Sequence, residues 1–353
     1  MHQKLSETFA QYNKIILVGG GTGGHIQPIL SIAQELGGHE ILWIGGKDSN
    51  EEKQAKENKT PFVSIPTLKL ATTKSPKILL YPFVLLQGIL EARKILKKEI
   101  LASQEGQINN SNPPIHQSTN PPLCIFSKGG PGSVAIGIAA WTLGIPLYIH
   151  ESDTIPGRSN ELLGKIATKI FLGFESAKQY FDTKKCEVVG QILDPIFSKQ
   201  PTNGPTDQPT ISWKTDKKHI LVICGSQGAR SIFEAILEQF SDENPYEWII
   251  SLGKLNGSMK SDFGNIQNIQ ALEWIDQKDI ASLLDNTDIA ITRGSATTLA
   301  EIDIFGVRKI IIPLPSAAKN HQYWNAREYE QKGDILLEQK NLTFLSETLK
   351  NHV

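Results

Sequence analysis

The sequence has few cysteines and almost no net charge, and both absences exclude classes of protein. Three of its 353 residues are cysteines, and they lie in or beside apolar, strand-like runs without metal-ligand spacing: Cys124, Cys186 and Cys224. This pattern favours buried, reduced thiols in a cytosolic protein over a disulfide framework or a zinc site. The formal net charge of -1 gives no electrostatic reason to expect a nucleic-acid partner.

Long apolar runs are also absent. Residues 78–90 are too few for a membrane span, which needs about 20 residues, and they include Gln87. Residues 133–149 are interrupted by two glycines and Pro146. The N-terminus lacks the apolar core and small-residue cleavage site of a signal peptide. We therefore predict neither a transmembrane helix nor a leader sequence.

What the sequence does contain is a repeated order of apolar strand, glycine-bearing turn and amphipathic helix. Strands that alternate with helices are typical of right-handed βαβ units in a parallel sheet. The predicted strands span residues 15–18, 41–44, 62–65, 123–126, 146–149, 169–172, 186–189, 220–223, 247–251, 268–271, 288–292 and 309–312.

The order restarts after a polar, proline-bearing stretch, and this predicts two domains. We place an N-terminal domain at residues 1–197, a linker at 198–218 and a C-terminal domain at 219–353. Residues 102–122 hold four prolines and few apolar side chains, and are predicted to form a flexible insertion. Two Rossmann-like parallel-sheet domains, each with its own glycine turn, imply a ligand in a central cleft that both domains face.

A glycine-rich segment, residues 19–25 (GGGTGGH), joins the first predicted strand to the first predicted helix. Glycines let a ligand approach the backbone, and a helix N-terminus favours a phosphate. The segment also matches the G-x-G-x-x-G dinucleotide fingerprint, but the second strand ends in Gly45-Gly46-Lys47, without the usual acidic residue. By itself the segment leaves nucleotide-sugar or phosphate binding and a nicotinamide or flavin site equally open.

Further segments combine glycines with polar side chains after predicted strands. They are SKGGPGS at 127–133, HESD at 150–153 with GRSN at 157–160, GSQGAR at 225–230, TRGSATTLAE at 292–301 and NHQYWN at 320–325.

With GGGTGGHIQP at 19–28, these segments make the chain resemble the family of MurG-type glycosyltransferases, in the family's order across most of residues 14–345. The resemblance implies a GT-B fold and an inverting transfer of N-acetylglucosamine from UDP-N-acetylglucosamine to lipid I. The acceptor atom would be the 4-hydroxyl of its undecaprenyl-diphosphate-linked N-acetylmuramic acid. The product, lipid II, serves peptidoglycan synthesis.

The same resemblance implies that no metal or other cofactor is needed. The sequence has no D-x-D motif, and glycine turns with helix dipoles could replace a cation at the pyrophosphate. Three alternatives stay open: a related GT-B transferase with another lipid acceptor, a UDP-sugar epimerase, and a UDP-sugar-binding scaffold without turnover.

The resemblance assigns roles on the donor side. Glu301 would accept hydrogen bonds from the ribose, although an acidic residue can also simply complement a helix dipole. Ser226 would hold the pyrophosphate and Gln322 the sugar, while Tyr323 and Trp324 are predicted to pack in the core. The donor-binding residues are Thr22, Gly23, Ser226, Gln227, Gly228, Glu301, His321, Gln322 and Asn325.

On the acceptor side, His25 is the candidate general base, because imidazole titrates nearest neutral pH. A structural role for His25, as a helix cap, stays open. Glu151 is the second catalytic candidate and would orient the acceptor. The acceptor-binding residues are Gly21, Thr22, Gly24, His25, Gly129, Gly130 and Asp153.

A basic, apolar stretch at residues 68–98 is typical of interfacial binding to anionic lipid. The membrane-contacting residues are predicted to be Lys74, Lys77, Ile78, Leu79 and Phe83. A helix packed on the sheet with a solvated basic face is the alternative. With the family resemblance, this stretch predicts a peripheral protein on the cytoplasmic face of the cell membrane.

The chain departs from the family pattern at several positions. Ser152 and Asp153 stand where the family usually has Gln and Asn, which places a carboxylate near the acceptor. Residues 190–194 read GQILD in place of GNPVR, so a positive group is lost. Phe233 replaces an asparagine, and His321 replaces a glutamine. Relatives continue beyond LTFLSETLK, so we expect either a shortened second domain or an incomplete sequence.

Overall fold

A computed structural model of the protein describes residues 2–20, 23–36, 38–67, 80–108, 123–130, 132–197, 209–240 and 244–353. The chain forms two compact units, Met1–Ile192 and Leu193–Val353, called here the first and second unit. Each unit is built on one parallel sheet with helices packed on it. The prediction of two parallel-sheet α/β domains is therefore confirmed.

The first unit has a seven-stranded sheet in the order β3-β2-β1-β4-β5-β6-β7. Its strands are β1 (Lys14–Val18), β2 (Glu40–Gly46), β3 (Phe62–Ile65), β4 (Leu123–Ser127), β5 (Leu147–Glu151), β6 (Lys169–Leu172) and β7 (Cys186–Val188). Its helices are α1 (His2–Phe9), α2 (Gly23–Glu35), α3 (Asn50–Glu57), α4 (Tyr81–Ile108), α5 (Ser133–Thr142) and α6 (Arg158–Gly164).

The second unit has a six-stranded sheet in the order β10-β9-β8-β11-β12-β13. Its strands are β8 (His219–Ile223), β9 (Glu247–Ser251), β10 (Ile269–Leu272), β11 (Ile289–Thr292), β12 (Arg308–Ile311) and β13 (Ile335–Leu336). Its helices are α7 (Arg230–Phe240), α8 (Lys260–Phe263), α9 (Gln277–Leu284), α10 (Ala296–Ile304), α11 (His321–Glu330) and α12 (Leu345–His352).

Continuous apolar runs form the central strands because both faces of each sheet are covered. In β1, Ile15 to Val18 are all buried, and their side chains alternate between two apolar clusters on opposite faces. In β8, Ile220 to Ile223 do the same in the second unit.

Both sheets reverse their strand order at one place, the position at which open α/β sheets generally bind ligands. In the first unit the reversal lies between β1 and β4, and in the second between β8 and β11. Loops that leave the carboxyl ends of such neighbouring strands diverge and leave a crevice there. The glycine turns of the sequence leave these four strands.

Several predicted bounds change. Helix α2 begins at Gly23, so Gly24 and His25 belong to its first turn rather than to the preceding loop. Helix α4 continues to Ile108, so residues 102–108 of the predicted insertion are helical, and residues 109–122 lie outside the described part of the chain. Helix α1 and strand β13 were not predicted.

The predicted linker is described from residue 209 onward, and there it is bound to the second unit. Thr210 donates to the Asp279 carboxylate through its amide and its hydroxyl, at 2.8 and 2.7 Å. Across the part of the chain that the structure describes, no helix is both long enough and apolar enough to cross a membrane.

Candidate active site

Two backbone turns meet where the first sheet reverses its order. A Cβ on Gly130 would lie 2.3 Å from the carbonyl oxygen of Gly20, so these turns touch backbone to backbone. Gly129, Gly130 and Gly132 have φ of +83°, +93° and +85°, which glycine adopts without strain. The turn that the sequence assigned to the acceptor therefore lies against the glycine segment that follows β1.

The remaining residues of that glycine segment are described only in part. Gly21 and Thr22 lie outside the described residues, as does the side chain of His25. Gly23, Gly24 and His25 form the N-terminal turn of α2. Their assigned roles at the donor and acceptor stay predictions.

A buried carboxylate that the sequence did not single out packs beneath this segment. Glu51 is 1% exposed, and its carboxylate carbon lies 2.4 Å from the position a Cβ would take on Gly20. Its side chain also fills the space over Gly45 and Gly46. Glycines at the ends of β1 and β2 thus make room for Glu51, and no sequence motif indicated this.

A buried polar cluster follows β4 and β5. The Lys128 Nζ lies 2.5 Å from His150 Nδ1 and 2.5 Å from Ser152 Oγ. His150 Nε2 lies 2.9 Å from the Gly190 carbonyl oxygen, and this contact requires Nε2 to carry the proton. Nδ1 is then the acceptor for Lys128.

Burial governs how these groups titrate. Burial lowers the pKa of Lys128 to about 8, and the carboxylates of Glu151 and Asp153 limit that fall. Burial and the neighbouring Lys128 cation hold the pKa of His150 well below its usual value of 6.5. At neutral pH the cluster therefore pairs an ammonium with a neutral imidazole.

Glu151, the second catalytic candidate, uses its carboxylate within the protein. Its oxygens accept hydrogen bonds from the Asp153 amide at 2.9 Å, the Gly157 amide at 3.1 Å and Asn160 Nδ2 at 3.0 Å. Burial, followed by the charge of Asp153, raises the pKa of Glu151 to about 7. These contacts fix the segment 151–160 next to the Gly129 turn, while a catalytic role for Glu151 stays a prediction.

In the second unit, the turn after β8 is shaped by a close approach between two backbone segments. Gly228 has a φ of +75°, and a Cβ there would lie 1.8 Å from the Leu252 carbonyl oxygen. Asn256 Nδ2 braces the turn from below by donating to the Gln227 carbonyl oxygen at 2.8 Å. The Ser226 and Gln227 side chains are exposed, and their amides make no hydrogen bond within the described residues.

Arg293, in the turn after β11, was not assigned a role from the sequence. Its guanidinium is buried and donates to the Ile312 carbonyl oxygen at 3.1 Å, to Gln339 Oε1 at 2.8 Å and to Ser231 Oγ at 3.2 Å. Arg293 thereby fastens the β11, β12 and α7 turns together. The sequence shows only an arginine directly after an apolar strand, and its role depends on contacts that the fold makes.

Glu301 lies one turn inside α10, the helix that this fastened turn begins. Within the described residues its carboxylate makes no hydrogen bond and no ion pair. Burial, followed by the charge of Asp194, raises the pKa of Glu301 to about 7. A half-buried carboxylate without partners is suited to accept hydrogen bonds from a ligand.

Helix α11 brings the remaining donor candidates to the same turn. Gln322 packs its backbone against Gly294, where a Cβ would lie 2.2 Å from the Gln322 carbonyl oxygen. Gln322 Oε1 accepts from the Leu314 amide at 2.9 Å, and Nε2 makes no hydrogen bond to the described chain. Asn325 is fully buried and donates to the Gly294 carbonyl oxygen at 3.0 Å.

Two further predictions concern His321 and Trp324, which both lie on α11. His321 donates from Nδ1 to the Ala318 carbonyl oxygen at 2.8 Å, and its role at the donor stays a prediction. Trp324 is 48% exposed, so its predicted packing in the core is wrong.

Helix α4 presents an exposed face with two chemistries. Its N-terminal half exposes Phe83, Leu86 and Leu90, and Leu80 directly before the helix is exposed as well. Further along the same face the helix exposes Lys94, Lys97, Lys98 and Leu101. Phe83 is 74% exposed. Lys74, Lys77, Ile78 and Leu79 lie outside the described residues.

Two family models match the chain, and together they cover both units. The glycosyltransferase family 28 N-terminal domain matches residues 15–112 and 117–172. The glycosyltransferase family 28 C-terminal domain matches residues 219–353. The chain belongs to glycosyltransferase family 28.

Relatives of this family 28 protein match it along nearly its whole length. A protein of Sulfurihydrogenibium sp. (strain YO3AOP1) is 30% identical over 94% of this chain and 86% of its own. It is named UDP-N-acetylglucosamine--N-acetylmuramyl-(pentapeptide) pyrophosphoryl-undecaprenol N-acetylglucosamine transferase.

Solved structures confirm the fold. Acinetobacter baumannii MurG matches with a TM-score of 0.69 and 23% identity, over 96% of this chain and 90% of its own. A UDP-GlcNAc 2-epimerase from Neisseria meningitidis, bound to UDP-GlcNAc, matches with a TM-score of 0.60 and 14% identity, over 96% and 92%. The GT-B fold is thereby shown, while at these identities the structures indicate fold alone.

Proposed function

We propose that the protein transfers N-acetylglucosamine from UDP-N-acetylglucosamine to the 4-hydroxyl of N-acetylmuramic acid in lipid I, with inversion at the anomeric carbon. The observation that carries the proposal is the 30% identity to a relative named for this transfer, over 94% of the chain. That identity extends through both units, so it includes every turn described above.

The second unit supplies the donor site. The amides of Ser226 and Gln227 hold the pyrophosphate. They lie in the turn that precedes α7 and make no hydrogen bond within the described residues. The ionised Glu301 carboxylate accepts hydrogen bonds from the ribose hydroxyls. Gln322 Nε2 donates a hydrogen bond to a sugar hydroxyl, and the His321 imidazole forms a second hydrogen bond with the sugar. Backbone amides stabilise the leaving diphosphate, so no metal ion is required.

The first unit supplies the acceptor site. The Gly130 amide and the N-terminus of α2 offer hydrogen bonds to the acceptor diphosphate, and Asp153 orients the acceptor sugar. The Gly129 amide already donates to Ser127 Oγ at 3.1 Å and shapes the turn. His25 removes the proton of the 4-hydroxyl as its oxygen bonds to the anomeric carbon. The bond from that carbon to the diphosphate breaks, and UDP leaves.

The exposed face of α4 attaches the protein to the cytoplasmic face of the membrane, where the polyprenyl acceptor resides. The apolar half enters the interface, and Lys94, Lys97 and Lys98 attract anionic headgroups.

The test combines purified protein, UDP-N-acetylglucosamine and a short-chain lipid I analogue, and follows UDP release and sugar identity. Transfer predicts UDP release that depends on the acceptor. An epimerised sugar without acceptor would show an epimerase instead, and donor binding without any turnover would show a scaffold.

A further inference from the structure

A lysine is buried in the first unit with neutral hydrogen-bond partners. Lys128 is 1% exposed, and its ammonium donates to His150 Nδ1 and Ser152 Oγ, each at 2.5 Å. Within the described residues it has no ion pair. Burying a lysine ammonium costs free energy unless partners compensate for the lost hydration. The proposed transfer gives Lys128 no role.

This ammonium determines the direction of the Ser152 hydroxyl. An ammonium has three protons and no lone pair, so it can only donate. Ser152 Oγ is therefore the acceptor toward Lys128, and the Ser152 hydroxyl proton points away from it. Ser152 is half-buried, and this proton makes no hydrogen bond within the described residues. The hydroxyl is thus a donor held ready for an oxygen atom of a ligand.

The backbone around Ser152 is fixed from both sides. Gln191 Nε2 donates to the Ser152 carbonyl oxygen at 2.6 Å, and the Asp153 amide donates to Glu151 at 2.9 Å. These bonds hold the backbone of Ser152, and the contact with Lys128 holds its Oγ.

The sequence departure at position 152 fits this contact. Ser152 stands where the family usually has glutamine, a longer side chain with its own amide donor. With serine, the space at 2.5 Å from Oγ holds the Lys128 ammonium. Lys128 and Ser152 together replace one amide donor.

We propose that Lys128 is a positioning residue for acceptor binding, which orients the Ser152 hydroxyl so that it donates a hydrogen bond to an oxygen of the sugar-diphosphate acceptor. This inference rests on the proposed function. The charged groups that face Lys128 are Glu151 and Asp153, and His150 is neutral. Since the pKa of Lys128 is about 8, the orientation weakens as the pH rises through 8.

The test uses Lys128→Met, Ser152→Ala and the double variant, with KM measured separately for the donor and for a short-chain lipid I analogue. Each single variant should raise the acceptor KM about tenfold, the worth of one directed hydrogen bond, and change the donor KM less than about twofold. The double variant should be no worse than either single one. Acceptor kcat/KM of the wild type should fall above about pH 8, and that fall should vanish in Lys128→Met.

Lys165→Met, an exposed lysine in the same unit, is the matched control and should change nothing. Ser152→Ala retains the buried lysine, so it tests the contact even if Lys128→Met does not fold. Additive losses, an unchanged acceptor KM, or an alkaline fall that persists in Lys128→Met would overturn the inference.

A failure of the proposed function would look different, because the wild type would then release no UDP. In that event calorimetry with the lipid I analogue takes the place of kinetics. Binding that is about tenfold weaker in both single variants supports the role of Lys128, and equal binding in all variants overturns it.

Discussion

Glu301 is a carboxylate whose environment opposes its charge before any ligand arrives. Burial and Asp194 raise its pKa to about 7, above the ordinary 4.5, so protonation competes with ligand binding near neutral pH. Ribose hydroxyls donate to the ionised form, and the affinity should therefore rise as the pH increases through 7.

Donor binding should strengthen about tenfold between pH 6 and pH 8, because the ionised fraction of Glu301 rises by about that factor. Isothermal titration of UDP-N-acetylglucosamine measures this directly. Glu301→Gln should bind the donor about tenfold more weakly at pH 8, with no pH dependence. Asp194→Asn removes a negative neighbour of Glu301 and should move the midpoint of the pH dependence of donor binding to lower pH. An unmoved midpoint in that variant would show that Glu301 is not the titrating group.

His25→Ala should lower kcat at least about 100-fold, the usual contribution of a general base, with both KM values little changed. His352→Ala, in the last helix, is the matched control. Steady-state rates decide the matter, and a His25→Ala enzyme of wild-type kcat would leave His25 with the capping role alone.

At the scale of secondary-structure elements, the stability of the turn after β8 should depend more on Gly228 than on Gly225. Gly228→Ala should destabilise the protein by at least about 3 kcal/mol, because its Cβ would lie 1.8 Å from the Leu252 carbonyl oxygen at a φ of +75°. Gly225→Ala also has a positive φ, of +79°, but no atom within 4 Å of its Cβ, and should cost about 1 kcal/mol. Chemical denaturation compares the two, and equal losses would contradict the close contact.

Helix α4 should bind vesicles that contain anionic lipid. Phe83→Glu should weaken binding about tenfold. The substitution replaces a largely exposed phenyl ring, which can enter the apolar interface, by a carboxylate, which cannot. Phe344→Glu, an exposed phenylalanine of the second unit, provides the control. Cosedimentation at two salt concentrations measures the effect, and equal binding by both variants would argue against α4.

The sequence predicted most elements because the apolar runs and the glycine turns agree. Strand β1 shows this, since four buried apolar residues precede the glycines where the strand ends. Helix α2 begins earlier than predicted because Gly23 and Gly24 carry no helical signal of their own. Strand β13 has two residues, too few for any period to appear.

The residues of the candidate site that belong to sequence motifs were predictable. The residues that meet only through packing were not. Glu301, Gln322 and the Gly129–Gly130 turn came from motifs. Glu51 and the contact between Lys128 and Ser152 depend on side chains from separate strands and helices, whose meeting only the fold determines.

At the scale of the whole molecule, we propose that each unit binds one substrate and that the transfer needs no metal ion. In each unit, glycine turns leave the two strands between which the strand order reverses, and we propose that amides of these turns bind a diphosphate. The family models match the two units separately, in keeping with this division.

The most direct test is the structure of the product formed in excess EDTA from UDP-N-acetylglucosamine and a lipid I analogue, determined by NMR spectroscopy. The account predicts undiminished turnover and a single product, with N-acetylglucosamine joined through a β linkage to the 4-oxygen of N-acetylmuramic acid. Activity that EDTA abolishes, an α linkage, or a linkage to another oxygen would contradict it.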